Sequence, residues 1–256
     1  MKVVLLFLFA TAALAKLLVD FSAAEGDNPS VIGLRNLEAA RSVAQSNNTA
    51  DLYIELGKDP RNVSAAHFHR IKGDIRAEYH ALNKKTVANT TYYIGYAFSL
   101  AQIQQSLMIW QFKEYVANSH GGANIPLAME IVNGRLEFQY QASNGTGRIA
   151  QWSTSIVANQ TYRAGIVINT STPGWVQLYW DGTLQTFNTT GSKKLIATTF
   201  PGRADPKFGA YRGEAVGIDT FVYDIRIGTQ LDDIRAAAGI NNLTACGFHP
   251  KPARRV

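Results

Sequence analysis

Cysteine is almost missing from this chain: Cys246 is the single example in 256 residues. That excludes a disulfide framework within the chain and any cysteine-based zinc site. Charge is also scarce, at 17% of residues, against roughly 25% in an average soluble chain. Disorder and a long solvated coiled coil are therefore excluded. Beyond the first 15 residues no stretch approaches the length of about 20 apolar residues that spans a bilayer as a helix, so no membrane partner is expected. Internal repeats, low-complexity tracts and Pro/Gly/Ser-rich linkers are absent too. The expectation is one domain over residues 16–256.

What the chain does contain is apolar and aromatic. Hydrophobic residues make up 46%, with 11 Tyr, 12 Phe, 4 Trp and 21 Gly, a composition that suits strands separated by many turns. Lys and Arg outnumber Asp and Glu by 25 to 19, a net charge of +6. No nucleic-acid motif accompanies that charge, so an acidic polysaccharide is the expected partner. Met1-Lys2, the apolar run from Val3 to Ala13 and the Ala13-Leu14-Ala15 site describe a cleavable signal peptide over residues 1–15. Asn-x-Ser/Thr sequons begin at Asn47, Asn62, Asn89, Asn144, Asn159, Asn169, Asn188 and Asn242. Together these features predict a secreted, extracellular glycoprotein.

Two hairpins are legible. Leu127–Val132 and Arg135–Tyr140 flank Asn133-Gly134, and Trp175–Trp180 and 183–187 flank Asp181-Gly182. Both dipeptides accept the positive φ angles of two-residue hairpin turns. Alternating runs at 51–56, 66–71, 75–82, 91–99, 106–113, 161–168 and 216–228 predict further strands. Helices are expected at 30–45, capped by Ser30, and at 229–238, where Thr229 and Asp232 suggest a capping box and Gly239 the stop. The fold class is thus all-β, two packed antiparallel sheets with one or two short helices.

Three segments carry chemistry. In Arg76-Ala-Glu78-Tyr-His80 the alternation places Arg76, Glu78 and His80 on one face. A two-residue turn near Gly73 would add His67 and His69 to it. In Gln111-Phe-Lys113 the polar residues again share a face, and a glutamine after Met-Ile-Trp needs partners if buried. In Lys207-Phe-Gly209-Ala-Tyr211-Arg212 the side chains of Lys207 and Tyr211 flank Gly209, which often marks a close ligand approach in a strand.

These segments resemble, in order, the three signatures of the alginate lyase superfamily of jelly-roll polysaccharide lyases. In polysaccharide lyase family 7 they read R-x-E-x-R, Q-I-H and Y-F-K-x-G-x-Y. His80 replaces the second Arg, and Lys113 takes the place of the His usually counted as catalytic. The stretch His67-Phe-His69-Arg70 through Gly73-Asp-Ile-Arg-Ala-Glu-Tyr-His80-Ala-Leu, with Lys207–Gly213, is more similar to the glucuronan lyases of polysaccharide lyase family 20. The resemblance covers roughly residues 50–228 and implies a concanavalin-like β-jelly roll. It also implies cleavage of β-1,4-glucuronan by β-elimination, with alginate cleavage or a non-catalytic, lectin-like role as alternatives. The family's catalytic Tyr falls on Tyr211 and its neutralising Gln on Gln111, and a catalytic His is carried by His80 or by His69.

The chemistry agrees with those assignments. A base removes the C5 proton beside a uronate carboxylate, the carboxylate accepts charge, and the 4-O bond leaves. Gln111 and Arg76 suit the carboxylate; Tyr211 beside Lys207 suits proton transfer, since a nearby cation favours phenolate. Lys207, Lys113, Glu78 and Arg212 are the expected substrate-binding residues. The E-x-D-x-x-E pattern of sandwich glucanases is absent, which disfavours a hydrolase. A lectin would instead rely on aromatic platforms such as Trp110, Trp152 and Trp175. No cofactor is required by this chemistry, and a monomer is expected. A structural calcium is implied by the resemblance, although no Asp-rich loop of the required pattern is present.

Overall fold

The structure, a computed structural model, describes residues 17–116, 124–143 and 146–241. The signal peptide, Cys246, the basic tail at Lys251, Arg254 and Arg255, and the sequons at Asn144 and Asn242 lie outside the described residues.

Seventeen strands form among the described residues. The first six are β1 (Val19–Ser22), β2 (Leu34–Glu38), β3 (Ala44–Gln45), β4 (Leu52–Lys58), β5 (Ser64–Arg70) and β6 (Arg76–His80). Next come β7 (Thr91–Leu100), β8 (Met108–Glu114), β9 (Leu127–Val132), β10 (Arg135–Tyr140), β11 (Ile149–Ser155) and β12 (Tyr162–Asn169). The last are β13 (Gly174–Trp180), β14 (Thr183–Leu184), β15 (Leu195–Ala197), β16 (Ala204–Tyr211) and β17 (Ile218–Gly228).

One sheet has nine strands in the order β14-β13-β12-β7-β17-β5-β4, with β1 beside β17 and β15 beside β13. The other has eight, ordered β11-β10-β9-β8-β16-β6-β2-β3. All pairings are antiparallel, and the two sheets form the expected jelly-roll sandwich. Alternation drives it: Phe68, Tyr96 and Phe98 of one sheet and Trp110, Phe112, Phe138 and Phe208 of the other are fully or almost fully buried between them. The Tyr96 and Phe208 rings meet across the gap at 5.1 Å. Each such burial contributes about 1.5–3 kcal/mol before entropy is counted.

Both hairpin turns form as expected, with φ of 51° and 73° at Asn133-Gly134 and 45° and 81° at Asp181-Gly182. The return strand of the second is shorter than expected. It ends at Leu184, because Phe187 turns into the core beside Phe138. The helix expected at 30–45 does not form. Asn28 caps a single 3-10 turn, Pro29–Ile32, which stops at Gly33, and the chain then becomes β2 and pairs with β6. A side chain at Gly33 would lie 2.3 Å from the His80 carbonyl oxygen, so β pairing overrides local helix preference here.

The later helix does form, as a 3-10 turn (Leu231–Ile234) followed by α1 (Arg235–Ala238), with Gly239 ending it at φ 70°. Its capping box uses Gln230 and Asp233, one residue beyond the expected pair. The helix rests on the outer face of the nine-stranded sheet, where Gly95 and Gly165 are cross-strand partners. A Cβ at either would come within 2.9 Å of Ala237 or Ala238.

Strand β8 contains a bulge that sets the phase of its outward-facing residues. Its register against β9 shifts between Met108 and Trp110, so two successive residues, Ile109 and Trp110, both enter the core. The alternation restarts with Gln111 facing away from it.

Candidate functional site

Four neighbouring strands, β2, β6, β16 and β8, build the site on the outer face of the eight-stranded sheet. On β6, Ala77 and Tyr79 enter the core, which sends Arg76, Glu78 and His80 to the other side, as the alternation predicts. Register then aligns the partners: Lys207 lies between His80 on one side and Gln111 on the other, Tyr211 opposite Arg76, and Asn36 opposite Glu78. Three separate sequence segments thus converge on one face.

Glu78, wholly buried, organises the centre. Its Oε1 accepts a 2.6 Å hydrogen bond from Gln111 Nε2, and its Oε2 lies 3.3 Å from Arg76 Nη1. Arg76 also donates Nε to Glu38 at 3.1 Å, and its guanidinium sits 4.3 Å above the Tyr211 ring. With its amide oriented so that the oxygen meets donors, Asn36 accepts from Arg76 Nη1 at 3.1 Å and Lys207 Nζ at 3.2 Å. Lys113 donates to the Asn124 carbonyl at 3.2 Å. Burial, then the nearby charge of Lys207, brings the Lys113 ammonium down to about 8. Burial lowers Lys207 as well, with Arg76 adding to the effect and Glu78 opposing it. Cations crowded at low solvent access are costly unless an anion joins them.

A second group sits beside this one. His80 Nε2 lies 3.1 Å from Asp205 Oδ2, and the Tyr115 ring stacks on His80 at 5.2 Å with its hydroxyl 3.2 Å from Nε2 and 3.3 Å from Nδ1. Burial alone would raise the Asp205 carboxyl. Hydrogen bonds from His80, Thr86 and the Lys84 N–H outweigh it and hold the group below the usual carboxylate range. Burial, reinforced by Asp205 and Glu78, pushes the Tyr115 phenol up, so at neutral pH it carries its proton. A cavity of about 240 Å³ opens beside Tyr211, lined also by Met108, Glu130, Arg148 and Arg212.

Several expectations need correction. His67 and His69 do not join this face. No hairpin forms at Gly73: β5 pairs with β4 and β17 in the nine-stranded sheet, and the chain crosses to the other sheet before β6 begins. His69 is hydrogen-bonded there to Asp219, so His80 remains as the histidine of the site. Glu78 was expected to hold Arg76 in place and to bind substrate; its full burial leaves it the first role, and it holds Gln111 as well. The cation on Tyr211 is Arg76 rather than Lys207, whose ammonium lies 5.8 Å from the Tyr115 ring. Gly209 is required by the backbone rather than by a ligand. Its φ is 132°, and a Cβ would lie 2.3 Å from the Ala77 carbonyl oxygen and 2.7 Å from the Phe68 ring. Arg212 stands at the cavity rim, paired with Glu214 at 2.9 Å.

Tyr115, Asp205 and Asn36 were missed by the sequence reading. Two of them carry a signal, because Tyr115 continues the phase of Gln111 and Lys113, and Asp205 that of Lys207. Asn36 gives none, since its strand reads locally as helix. Calcium needs six to eight oxygen ligands. The one grouping of three His, Cys, Asp or Glu ligand atoms among the described residues is His67, His69 and Asp219, and its two nitrogens do not suit that ion.

No family model and no curated relative matches the chain. Solved structures do. The fold is similar to alginate lyase A1-II′, a member of polysaccharide lyase family 7, at 15% identity and a TM-score of 0.54, over 77% of this chain and 94% of that one. It is similar to the endo-β-1,4-glucuronan lyase of the fungus Trichoderma reesei at 16% identity and a TM-score of 0.54, over 79% and 97% of the two chains. A carbohydrate esterase from the Shiga toxin-encoding bacteriophage phi24B shares it too, at 13% identity and a TM-score of 0.53, over 84% and 99%. At such identities the likeness shows the fold alone, and the esterase shows that this fold serves more than one chemistry.

Proposed function

We propose that the protein is a polysaccharide lyase that cleaves an acidic uronate polymer, β-1,4-glucuronan, by β-elimination. The observation that carries this reading is the gathering of Arg76, Lys113 and Lys207 around Gln111 and Tyr211, with both lysines lowered by burial. A carboxylate placed there relieves the crowding. Arg76 and Gln111 then meet the extra charge that the carboxylate takes up as the C5 proton leaves. Tyr211 moves protons: the C5 proton goes to a base on this face, the C4–O4 bond breaks as the C4–C5 double bond forms, and the departing oxygen takes a proton. Water is not consumed. His80, held by Asp205, positions Tyr115 as a protonated donor beside Lys207. The complex of alginate lyase A1-II′ with its substrate GGMG supports an acidic polysaccharide as the partner class.

A lectin finds less support. Trp110 and Trp152 are buried and Trp175 is covered by Lys194 at 4.4 Å, so none offers an open platform. The test is absorbance from unsaturated uronate ends, followed in parallel on glucuronan, alginate, hyaluronan and neutral cellulose. Glucuronan is expected to give the fastest rise. Activity confined to alginate overturns the substrate; reducing ends without absorbance make the protein a hydrolase; binding without products leaves a lectin.

A further inference from the structure

We propose that His67, His69 and Asp219 form a binding site for a divalent late transition-metal cation, zinc being the probe, on the outer face of the nine-stranded sheet. His67 and His69 are two apart on β5 with Phe68 between them in the core, so both rings leave the sheet on the same side. Strand β17 places Asp219 directly opposite His69 and Phe221 opposite His67, while β4 places Tyr53 and Glu55 opposite the same two histidines from the other flank. Three paired strands therefore fix the cluster, rather than a loop.

The donor atoms already converge. His67 Nε2 and His69 Nδ1 each lie 2.7 Å from one oxygen, Asp219 Oδ1, and all three ligand atoms fall within 4.8 Å of one another. Metal bonds of about 2.0–2.2 Å need only small side-chain rotations from that arrangement.

Two of the three atoms that would not ligate, His67 Nδ1 and Asp219 Oδ2, are held as well, which is what orients ligands in metal sites. The Tyr53 hydroxyl is 3.3 Å from His67 Nδ1. Gln102 donates Nε2 to Asp219 Oδ2 at 3.4 Å and accepts the Asp219 N–H at 2.9 Å. Tyr53 stacks on His69 at 4.8 Å and Phe221 on His67 at 4.6 Å, fixing both ring planes. The three side chains are 22–27% exposed, which leaves room for water or an exogenous ligand at an open position. Two imidazoles and one carboxylate favour zinc, copper or nickel over calcium or magnesium.

The full chain, stripped with a chelator and dialysed, is titrated with zinc against a chromophoric chelator. One equivalent is expected to bind with Kd in about the micromolar range or tighter, and calcium is expected not to compete. His67→Gln and His69→Gln should each weaken that event by about 10–100-fold or more. Tyr53→Phe keeps every ligand and most of the packing, so it guards against a misfolded histidine variant and should weaken binding by about 10-fold. Saturating zinc should raise the thermal midpoint of the wild type, by about 5 °C or more at a hundredfold excess over Kd, and not that of the double histidine variant. Absence of binding by the wild type overturns the proposal, as do undiminished affinity in the double variant or displacement by calcium. None of these readings depends on lyase activity.

Discussion

Arg76 and Tyr211 meet with the guanidinium carbon 4.3 Å from the ring centroid, a contact that survives loss of the phenol oxygen. Tyr211→Phe should therefore fold with nearly unchanged thermal stability and lose about 10²-fold or more in turnover, the loss expected of a positioned proton-transfer group. A folded variant with near-normal turnover removes Tyr211 from the mechanism. Gln111→Ala should lower turnover by about 10²–10³ through lost carboxylate stabilisation, and normal turnover would set Gln111 aside. Lys113 makes a pH prediction. Its ammonium, lowered to about 8 by burial and by Lys207, is a cation below that pH and neutral above it. Attraction for a uronate polymer is thus fully present below pH 8 and declines as pH rises through it. KM measured from pH 6 to 9.5 should climb above 8, and Lys113→Met should flatten that climb while raising KM at low pH.

Strands β5 and β6 are adjacent in sequence yet belong to different sheets, and this separates two histidines that look alike in the sequence. His80 stacks on Tyr115 and meets Asp205 on the proposed catalytic face, whereas His69 pairs with Asp219 on the outer face of the opposite sheet. His80→Ala should cut turnover by about 10²-fold. His69→Ala should leave kcat/KM within about twofold, since nothing places it near the reacting atoms. Steady-state rates of the two folded variants decide the matter, and equal losses would contradict the sheet assignment. The same crossover explains what local reading could not find. Alternation within β6, β8 and β16 is a nearest-neighbour property, so Arg76, Glu78, His80, Gln111, Lys113, Lys207 and Tyr211 were legible as a face. Whether residues 71–75 turn back or cross over depends on where β6 finds partners, and it lies between β16, distant in sequence, and β2, a segment whose own sequence suggests a helix.

At the scale of the whole molecule, the sandwich distributes its sequons unevenly. Asn47, Asn62, Asn89, Asn159 and Asn188 are exposed, while Asn169 is half-buried, donates to Thr91 at 3.0 Å and accepts from the Ser171 N–H at 3.1 Å. Secretion from a eukaryotic host should put glycans on the exposed group and leave Asn169 bare. Peptide mapping after enzymatic deglycosylation checks this, and a modified Asn169 would contradict it. The fold class was legible because hairpin turns and two-residue periodicity recur along the entire chain. Asp205 escaped notice altogether, and the hold of Glu78 on Gln111 was not legible either, since both depend on neighbours up to 125 positions away.

The extra residue in β8 has one more consequence. Ile109 and Trp110 enter the core in succession, and only then does Gln111 face out. The strand therefore behaves like a reading frame. Were β8 to alternate strictly from Met108, Gln111 and Lys113 would turn towards the apolar interior and Phe112 to the surface, so it is the bulge that returns these residues to their faces. Loop lengths elsewhere can drift without such an effect. Homologues that keep this face should either retain the bulge with two core residues between Met108 and Gln111 or lose the bulge together with one of those residues.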